Sequence, residues 1–451
     1  MGLVLLAWDV ARGQEAPPDG VAPVTGPCYT LEQCLDLALE QNPDVQVARK
    51  GLEEAAGAVM VARAGFLPSV SSYANYERLE PDYANLAGTS TNNRPFIWNV
   101  NLRVYETVYS GGGVRGQMDI ARLQDQSRML DYESTVDQTI MDVRVAFCDI
   151  LYNQADVEVH QQAVDFLGQQ AQSERNKLQV GTGQKLNVLR AEVNLALEQS
   201  ALVDSRNRLH NAYLRLAELL AIPCPVDAEQ PPFDVQGELR YERLDMPLDE
   251  CLNIALSRRP ELGARANDID VQRKQLIVDR SALLPHVQLY GGYDAISEPD
   301  RTVNREYYDG YVAGFQVNWN VFDGFATRGR MDATRARIEE METGYEALRL
   351  SIHTEVLRAY RELQKAEEII DTQSANAALA RQSLDLAQQN FGLGLISQLE
   401  LLQSRLDLTR AQTAELSARF DYNAALARLQ RAMGSDFLIT EDSGRQEPGT
   451  K

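Results

Sequence analysis

The residues able to do chemistry are few, and their spacing suits none. The four histidines, His160, His210, His286 and His353, are scattered, and none belongs to an HExxH metal motif. The five cysteines, Cys28, Cys34, Cys148, Cys224 and Cys251, include no CxxC pair, so neither a zinc knot nor a thioredoxin-like couple is expected. Cys34 and Cys251 sit in matching helical patterns and read as small core residues, while a Cys28–Cys34 disulfide stays open in an oxidising compartment. Gly181-Thr182-Gly183 lacks the strand and the further glycine of a nucleotide loop. Gly111-Gly112-Gly113 follows a strand pattern and precedes a helix, where a phosphate could be cradled. It lacks a Lys-Ser/Thr tail, and its repeat partner, Gly324-Phe325-Ala326, is not glycine-rich, so both read as strand-to-helix transitions. No catalytic constellation emerges, and the expectation is a protein that is not an enzyme and carries no cofactor or metal.

Charge narrows the partners. With 44 basic and 65 acidic residues the formal charge is −21, which disfavours nucleic acid, because phosphate binding needs a basic footprint. A solvated acidic surface and an acidic conduit that prefers cations both fit. No run of about eighteen apolar residues occurs, so no transmembrane helix is expected. Met1–Ala7 is a short apolar stretch followed by Ala11, Arg12 and Gly13, resembling the end of a secretory signal without its basic beginning. Pro17 to Pro27 reads as a flexible N-terminus.

The elements that must position any site come in two copies. Thr30 to Leu39 matches Pro247 to Leu256, Asn42-Pro43 matches Arg259-Pro260, and Leu67-Pro68 matches Leu284-Pro285, all at one offset. Val108-Tyr109-Ser110-Gly111 then matches Val321-Phe322-Asp323-Gly324 at an offset four residues shorter, which persists through Gly181 and Gly394. The change falls between Tyr76 and Phe96, in a loop, where indels are tolerated. Each half reads as helix, strand, strand, long helix, turn, helix. The helical period runs from Leu31 to Arg63, with Thr30 as N-cap.

Two segments switch to period two. Phe96, Trp98, Val100, Leu102 and Val104 alternate with Ile97, Asn99, Asn101, Arg103 and Tyr105. In the second half Tyr311, Ala313, Phe315, Val317, Trp319 and Val321 alternate with Val312, Gly314, Gln316, Asn318 and Asn320. Weaker strands are expected near Val70–Tyr76 and Val287–Tyr293. One face is apolar and the other carries amides or glycine, the pattern of a transmembrane β-barrel strand; a half-buried soluble sheet shows the same period. Its double occurrence beside very long helices favours the barrel, with Trp98, Phe315 and Trp319 toward lipid.

Those helices run about from Gly113 to Leu178 and from Ala326 to Phe391, without a proline, on the order of 100 Å each. No globular core is that deep, so they must pack along their length as a coiled coil or a barrel of helices. Leu186–Leu220 and Leu399–Met433 run back. Four strands cannot close a barrel, and lipid offers no partner for an open edge. If the strands enter a membrane the chain must oligomerise, and the residues alone do not choose between eight strands and twelve.

From about Tyr29 to Gly434 the chain resembles the outer-membrane efflux proteins of the TolC type. The resemblance is carried by Leu31, Leu35, Ala38, Leu39, Asn42 and Pro43 and by two helix-turn tips, Lys177 to Thr182 followed by Val188, Leu189 and Ala191, and Phe391 to Leu395 followed by Leu399 to Leu402. It implies a mainly α chain with a transmembrane β-barrel portion, closing as a homotrimer with a twelve-stranded barrel in the outer membrane on a helical periplasmic tunnel. The parts would be a signal remnant and flexible N-terminus (1–28), a first repeat (29–222), an equatorial linker (223–246), a second repeat (247–434) and a tail (435–451). The implied role is the passive exit duct of a tripartite efflux system, with a periplasmic adaptor and an inner-membrane pump as partners. The exit duct of a type I protein-secretion system shares this fold, and a soluble coiled-coil structural protein is the reading from another class. Val180, Gly181 and Thr182, with Leu393, Gly394 and Leu395, would dock the adaptor; a plain helix C-cap is the simpler reading of each glycine. The mouth would be lined by Glu400, with Gln403, Phe391 and Asn187 nearby. Gln403 stands where the family's second acidic residue falls, Ile396 where its gating Arg falls, and Phe391 lacks its partner's hydroxyl. Glu400 as a solvated helix charge remains the other reading.

Overall fold

The computed structural model describes residues 27–78, 96–224, 233–297 and 307–434. The leader at 1–26, the loop carrying the repeat's length difference (79–95) and the tail at 435–451 lie outside the described residues, as do 225–232 of the linker. The chain divides into two compact units, one of residues 1–34 with 146–239 and one of 35–145 with 240–451. These units are not the two sequence repeats. The linker residues divide between them, since Phe233 and Val235 are buried in the first, while Tyr241, Leu244 and Met246 pack on the core of the second.

The duplication is plain in the element lengths. Helices α1 (Leu31–Gln41) and α5 (Leu248–Arg258) have 11 residues each. Helices α2 (Pro43–Ala64) and α6 (Pro260–Ser281) have 22 each. The long helices α3 (Gly113–Gln179) and α7 (Ala326–Gly392) have 67 each, and α4 (Lys185–Leu219) and α8 (Gln398–Met433) have 35 and 36. Thr30 caps α1 as expected: its hydroxyl accepts from Gln33 N while Gln33 returns a bond to Thr30 N.

The single helix expected over Leu31–Arg63 is two. The periodic stripe crosses the break, but Pro43 has no N–H to continue α1 and takes the first turn of α2 instead. Asn42 closes the junction by accepting from Asp44 N at 2.9 Å and Val45 N at 3.3 Å. Arg259 holds the matching place before Pro260, yet its side chain makes no cap bond.

In the second unit, α5, α7 and α8 share a core of Cys251, Ala255, Ile352, Val356, Leu363, Tyr422 and Leu429. The first part of α3 lies against α6 at small residues, with Gly116 facing Val278 and Gly263 facing Leu130, and Lys274 reaching Asp119 at 3.0 Å. The sheet of this unit has strands β2 (Ser69–Arg78), β3 (Phe96–Tyr109), β5 (His286–Ser297) and β6 (Tyr307–Asn318), antiparallel throughout in that order.

In the first unit, β1 (Cys28–Tyr29) pairs in parallel with β4 (Asp234–Val235). Phe233 wedges between the rings of Tyr29 and Tyr213, at 5.8 and 5.7 Å. Burial raises the Tyr213 hydroxyl above its ordinary range, and it donates to Asp234 at 2.6 Å. All five cysteines are free, so the Cys28–Cys34 disulfide is not formed. Cys34 and Cys251 are core residues as expected, and burial pushes the Cys34 thiol up to about 12.

Candidate functional site

Strand pairing fixes which side chains share a face. Val70 pairs with Val104, Ala74 with Val100 and Tyr76 with Trp98. Leu102 pairs with Tyr293, and Leu289 with Phe315. These residues stand on one face, which has no covering layer among the described residues: Phe315 is 71% exposed and Tyr311 92%. The opposite face carries Asn75, Asn99, Asn101, Gln288 and Gln316, and across it Arg103 reaches Asp294 at 2.6 Å. A register shift between Thr107 and Tyr109 returns Tyr109 to the apolar side.

Trp319 is a correction to the expected strand. β6 ends at Asn318, whose partner is His286, because Pro285 precedes β5 and has no N–H to extend the ladder. Trp319 lies just past the strand, exposed, with its indole N–H donated to Leu283 O at 3.1 Å. Its place still has meaning. Tyr76, Trp98 and Tyr307 gather at one end of the apolar face, the last two rings 6.0 Å apart, and Tyr109, opposite Val287, stands at the other end, just past which Trp319 follows β6. Trp98 and Tyr109 are eleven residues apart. At about 3.3 Å per residue and about 45° of tilt, that is about 25 Å of height, the apolar band of an outer-membrane barrel between its aromatic girdles.

The two helix tips are built alike, each within its own unit. At the first, Thr182 N bonds Lys177 O at 3.0 Å and Gly181 N bonds Leu178 O at 3.1 Å. At the second, Leu395 N bonds Asn390 O at 2.9 Å and Gly394 N bonds Phe391 O at 3.0 Å. This paired bonding ends a helix through a left-handed residue, and φ is +77° at Gly181 and +75° at Gly394. Val180 and Leu393 beside them are each 74% exposed. Gly183, which the sequence offers only as part of the Gly181-Thr182-Gly183 run, is needed for the turn itself: a Cβ there would meet the backbone of Lys177 and Leu178 at 2.9 and 2.7 Å.

The residues expected at the mouth have local partners. Glu400 closes a capping box at the start of α8, accepting from Ser397 N at 2.9 Å, while Ser397 Oγ accepts from Glu400 N. Gln403 is exposed and donates to Asp407 at 2.8 Å, so an acidic group stands one turn further on. Phe391 supplies a carbonyl to the second tip, and Asn187 opens the first turn of α4, its N–H on Gln184 O. The amides of the glycine run are used within the turn: Gly113 N donates to Ser110 O at 2.9 Å and Val114 N to Ser110 Oγ at 3.1 Å, as a strand-to-helix transition requires.

Residues 34–221 and 251–435 match the outer membrane efflux protein family. The chain belongs to that family. The pyoverdine export outer membrane protein OpmQ of Pseudomonas aeruginosa is 22% identical over 90% of this chain and 83% of its own length. The alkaline protease secretion protein AprF of the same organism is 22% identical over 87% of this chain and 82% of its own. Among solved structures, the CmeC outer membrane channel of Campylobacter jejuni superposes with a TM-score of 0.75 at 16% identity, over 90% of this chain and 85% of that one. As an outer membrane efflux protein the chain is a passive channel component and not an enzyme, with strands in the outer membrane and helices in the periplasm. Among the described residues, no helix is long and apolar enough to cross a membrane.

Proposed function

We propose that three copies of this efflux protein close a twelve-stranded barrel and form the exit duct of a tripartite system, receiving cargo from a periplasmic adaptor and an inner-membrane pump. One observation carries the reading. The sheet has an uncovered apolar face about as tall as a bilayer's hydrocarbon core, and its outer strands β2 and β6 each have one edge that pairs with no strand among the described residues. An edge in lipid leaves backbone groups without partners, so the edges of one copy meet those of the next. Bacterial barrels have even strand numbers from about eight upward, which four-stranded chains reach by assembling. The exposed Val180, Leu393 and Leu395 beside the two tip glycines are the docking surface for the adaptor.

The test has two parts. Light scattering of the detergent-solubilised protein should give a trimer; a well-behaved monomer overturns the proposal. Cysteines at Asn99, Asn101, Gln316 and Asn318 should react with water-soluble thiol reagents, and those at Trp98, Phe315 and Trp319 should not. A type I protein-secretion duct is the second reading, and the similarity to AprF favours it as much as that to OpmQ favours small cargo. Deleting the gene and measuring a secreted protein beside a small exported compound separates the two.

A further inference from the structure

On the face that carries the amides, two long side chains lie along the sheet instead of standing away from it. Tyr290 is paired in register with Gly314 on β6. A Cβ built on Gly314 would stand 2.8 Å from Tyr290 Oη and 3.0 Å from its Cζ. The tip of the ring therefore fills the space a side chain at 314 would need. Arg103 does the same over Gly292, its register partner on β5: a Cβ there would meet the Leu102 carbonyl and stand 2.8 Å from Arg103 Cγ. From that position Arg103 reaches both carboxylate oxygens of Asp294, at 3.1 and 2.6 Å. Tyr105 leans on Tyr290 from the other flank, ring centroids 6.4 Å apart. An aromatic ring laid over a cross-strand glycine buries part of the ring and covers bare backbone, so the flat pose is favoured while the glycine stays bare.

We propose that Gly314 sets the bore of the exit at this level, by letting Tyr290 lie flat against the wall. The inference rests on the duct reading above, in which this face lines the lumen. A side chain at 314 removes the seat of the ring, and the staggered alternatives at Tyr290 χ1 turn it off the wall. Threefold symmetry would raise three rings at one level, so the effect falls on the largest cargo first. Gly314 is a clean position to alter, because its φ is not in the left-handed region and the atoms in the way are the far end of a side chain. Gly292 is not, because there the obstacle is backbone.

The experiment uses Asn318→Cys as reporter, on the same strand and face beyond Gly314 from the extracellular end, in the full chain in intact cells. A small water-soluble maleimide and maleimide-tagged neutral polymers of graded mass are added outside, with the chain lacking the reporter as background. The parent should label with the small reagent and with polymers up to a cut-off. Gly314→Ala should keep the small-reagent labelling and lose labelling by the largest polymer that the parent accepts. Gly314→Ala with Tyr290→Ala should regain it, and Tyr290→Ala alone should accept polymers at least as large as the parent does. An unchanged cut-off in Gly314→Ala, a double variant that stays restrictive, or a narrower cut-off in Tyr290→Ala overturns this inference and leaves the duct intact. A parent whose reporter resists even the small reagent overturns the inward orientation of this face, and the inference with it.

Discussion

Arg259, 5% exposed, donates its Nε–H to the backbone carbonyl of Ala432 at 2.8 Å, tying the start of α6 to the end of α8. Its other nitrogens meet Glu261 at 3.1 Å and Glu355 at 2.5 Å, and Arg431 joins the same two carboxylates. Burial works against the charged form of Glu261, but its backbone bond and the two guanidinium groups outweigh it and hold that carboxyl below its usual range.

Removing this buried cation leaves Glu261 and Glu355 with Arg431 as their one remaining guanidinium and takes the donor from the Ala432 carbonyl, so Arg259→Ala should cost about 3 kcal/mol. The matching change in the first half, Asn42→Ala, removes the two cap bonds to Asp44 N and Val45 N and should cost about 1 kcal/mol. Arg259→Lys should not restore stability, because one ammonium cannot serve three acceptors in fork geometry. Relative denaturant midpoints of the detergent-purified variants measure this. Equal losses at the two positions would mean that Arg259 is no more than a junction residue.

The tips make a second test. Gly181→Val and Gly394→Val each place a β-branched residue at a left-handed φ, costing about 1–2 kcal/mol locally. Nothing lies within 4 Å of either built Cβ, so the strain is in the backbone alone. Export should fall while the amount of assembled protein in the membrane stays the same. Normal export by both variants, in cells that depend on this duct, would remove the tips as the docking surface.

Glu400 needs a substitution that spares its cap. Glu400→Gln does so, because a glutamine closes the same box without the charge. In planar bilayers the parent should be blocked by divalent or trivalent cations from the periplasmic side, most strongly at low salt. The Gln variant should lose much of that block while keeping its conductance at high salt. Unchanged block would leave Glu400 as a cap and a solvated charge.

Between α3 and α4, His160 Nδ1 lies 2.6 Å from Glu198, and its Nε2 lies 3.7 Å from Asp156, which Arg208 holds at 2.6 Å. The bond to Glu198 raises the imidazole's pKa, burial lowers it, and Asp156 raises it further, with a net upward shift. A raised pKa means that the folded state binds the proton more tightly than the unfolded one. Its stabilisation is complete below the unfolded value of about 6.5 and is lost as pH rises through the higher folded value. Thermal unfolding followed from about pH 6 to about pH 9 should show a loss of stability as pH rises above the unfolded value of about 6.5. His160→Gln should flatten that part of the profile; an unchanged slope would place the pH dependence elsewhere.

Much of the fold was legible because its signals are long. Sixty-seven-residue helices without a proline and a plan stated twice leave few alternatives. What was not legible depends on partners distant in sequence or on single local groups. The apolar stripe of α1 and α2 runs across Asn42–Pro43, so periodicity hid the break that the proline makes. The end of β6 is decided by Pro285 on another strand. Arg259 reaches a carbonyl 173 residues away, and no spacing announces that. At Glu400 two signals overlap: Ser397-x-x-Glu400 is a readable capping box, and the same carboxylate falls at the position that the family resemblance assigns to the mouth.

The open outer edges of β2 and β6 have a genetic consequence. In the ring of three proposed above, every chain would contribute both a β2 edge and a β6 edge, so one chain with a spoiled edge would interrupt closure for two sound neighbours. A cell producing equal amounts of intact and edge-defective chains would keep about one fully intact ring in eight, if chains mix at random. Proline substitutions at hydrogen-bonding positions of β2 or β6 should therefore behave as dominant alleles. Loss-of-docking alleles at the tips leave the ring closed and should be milder in the same mixture.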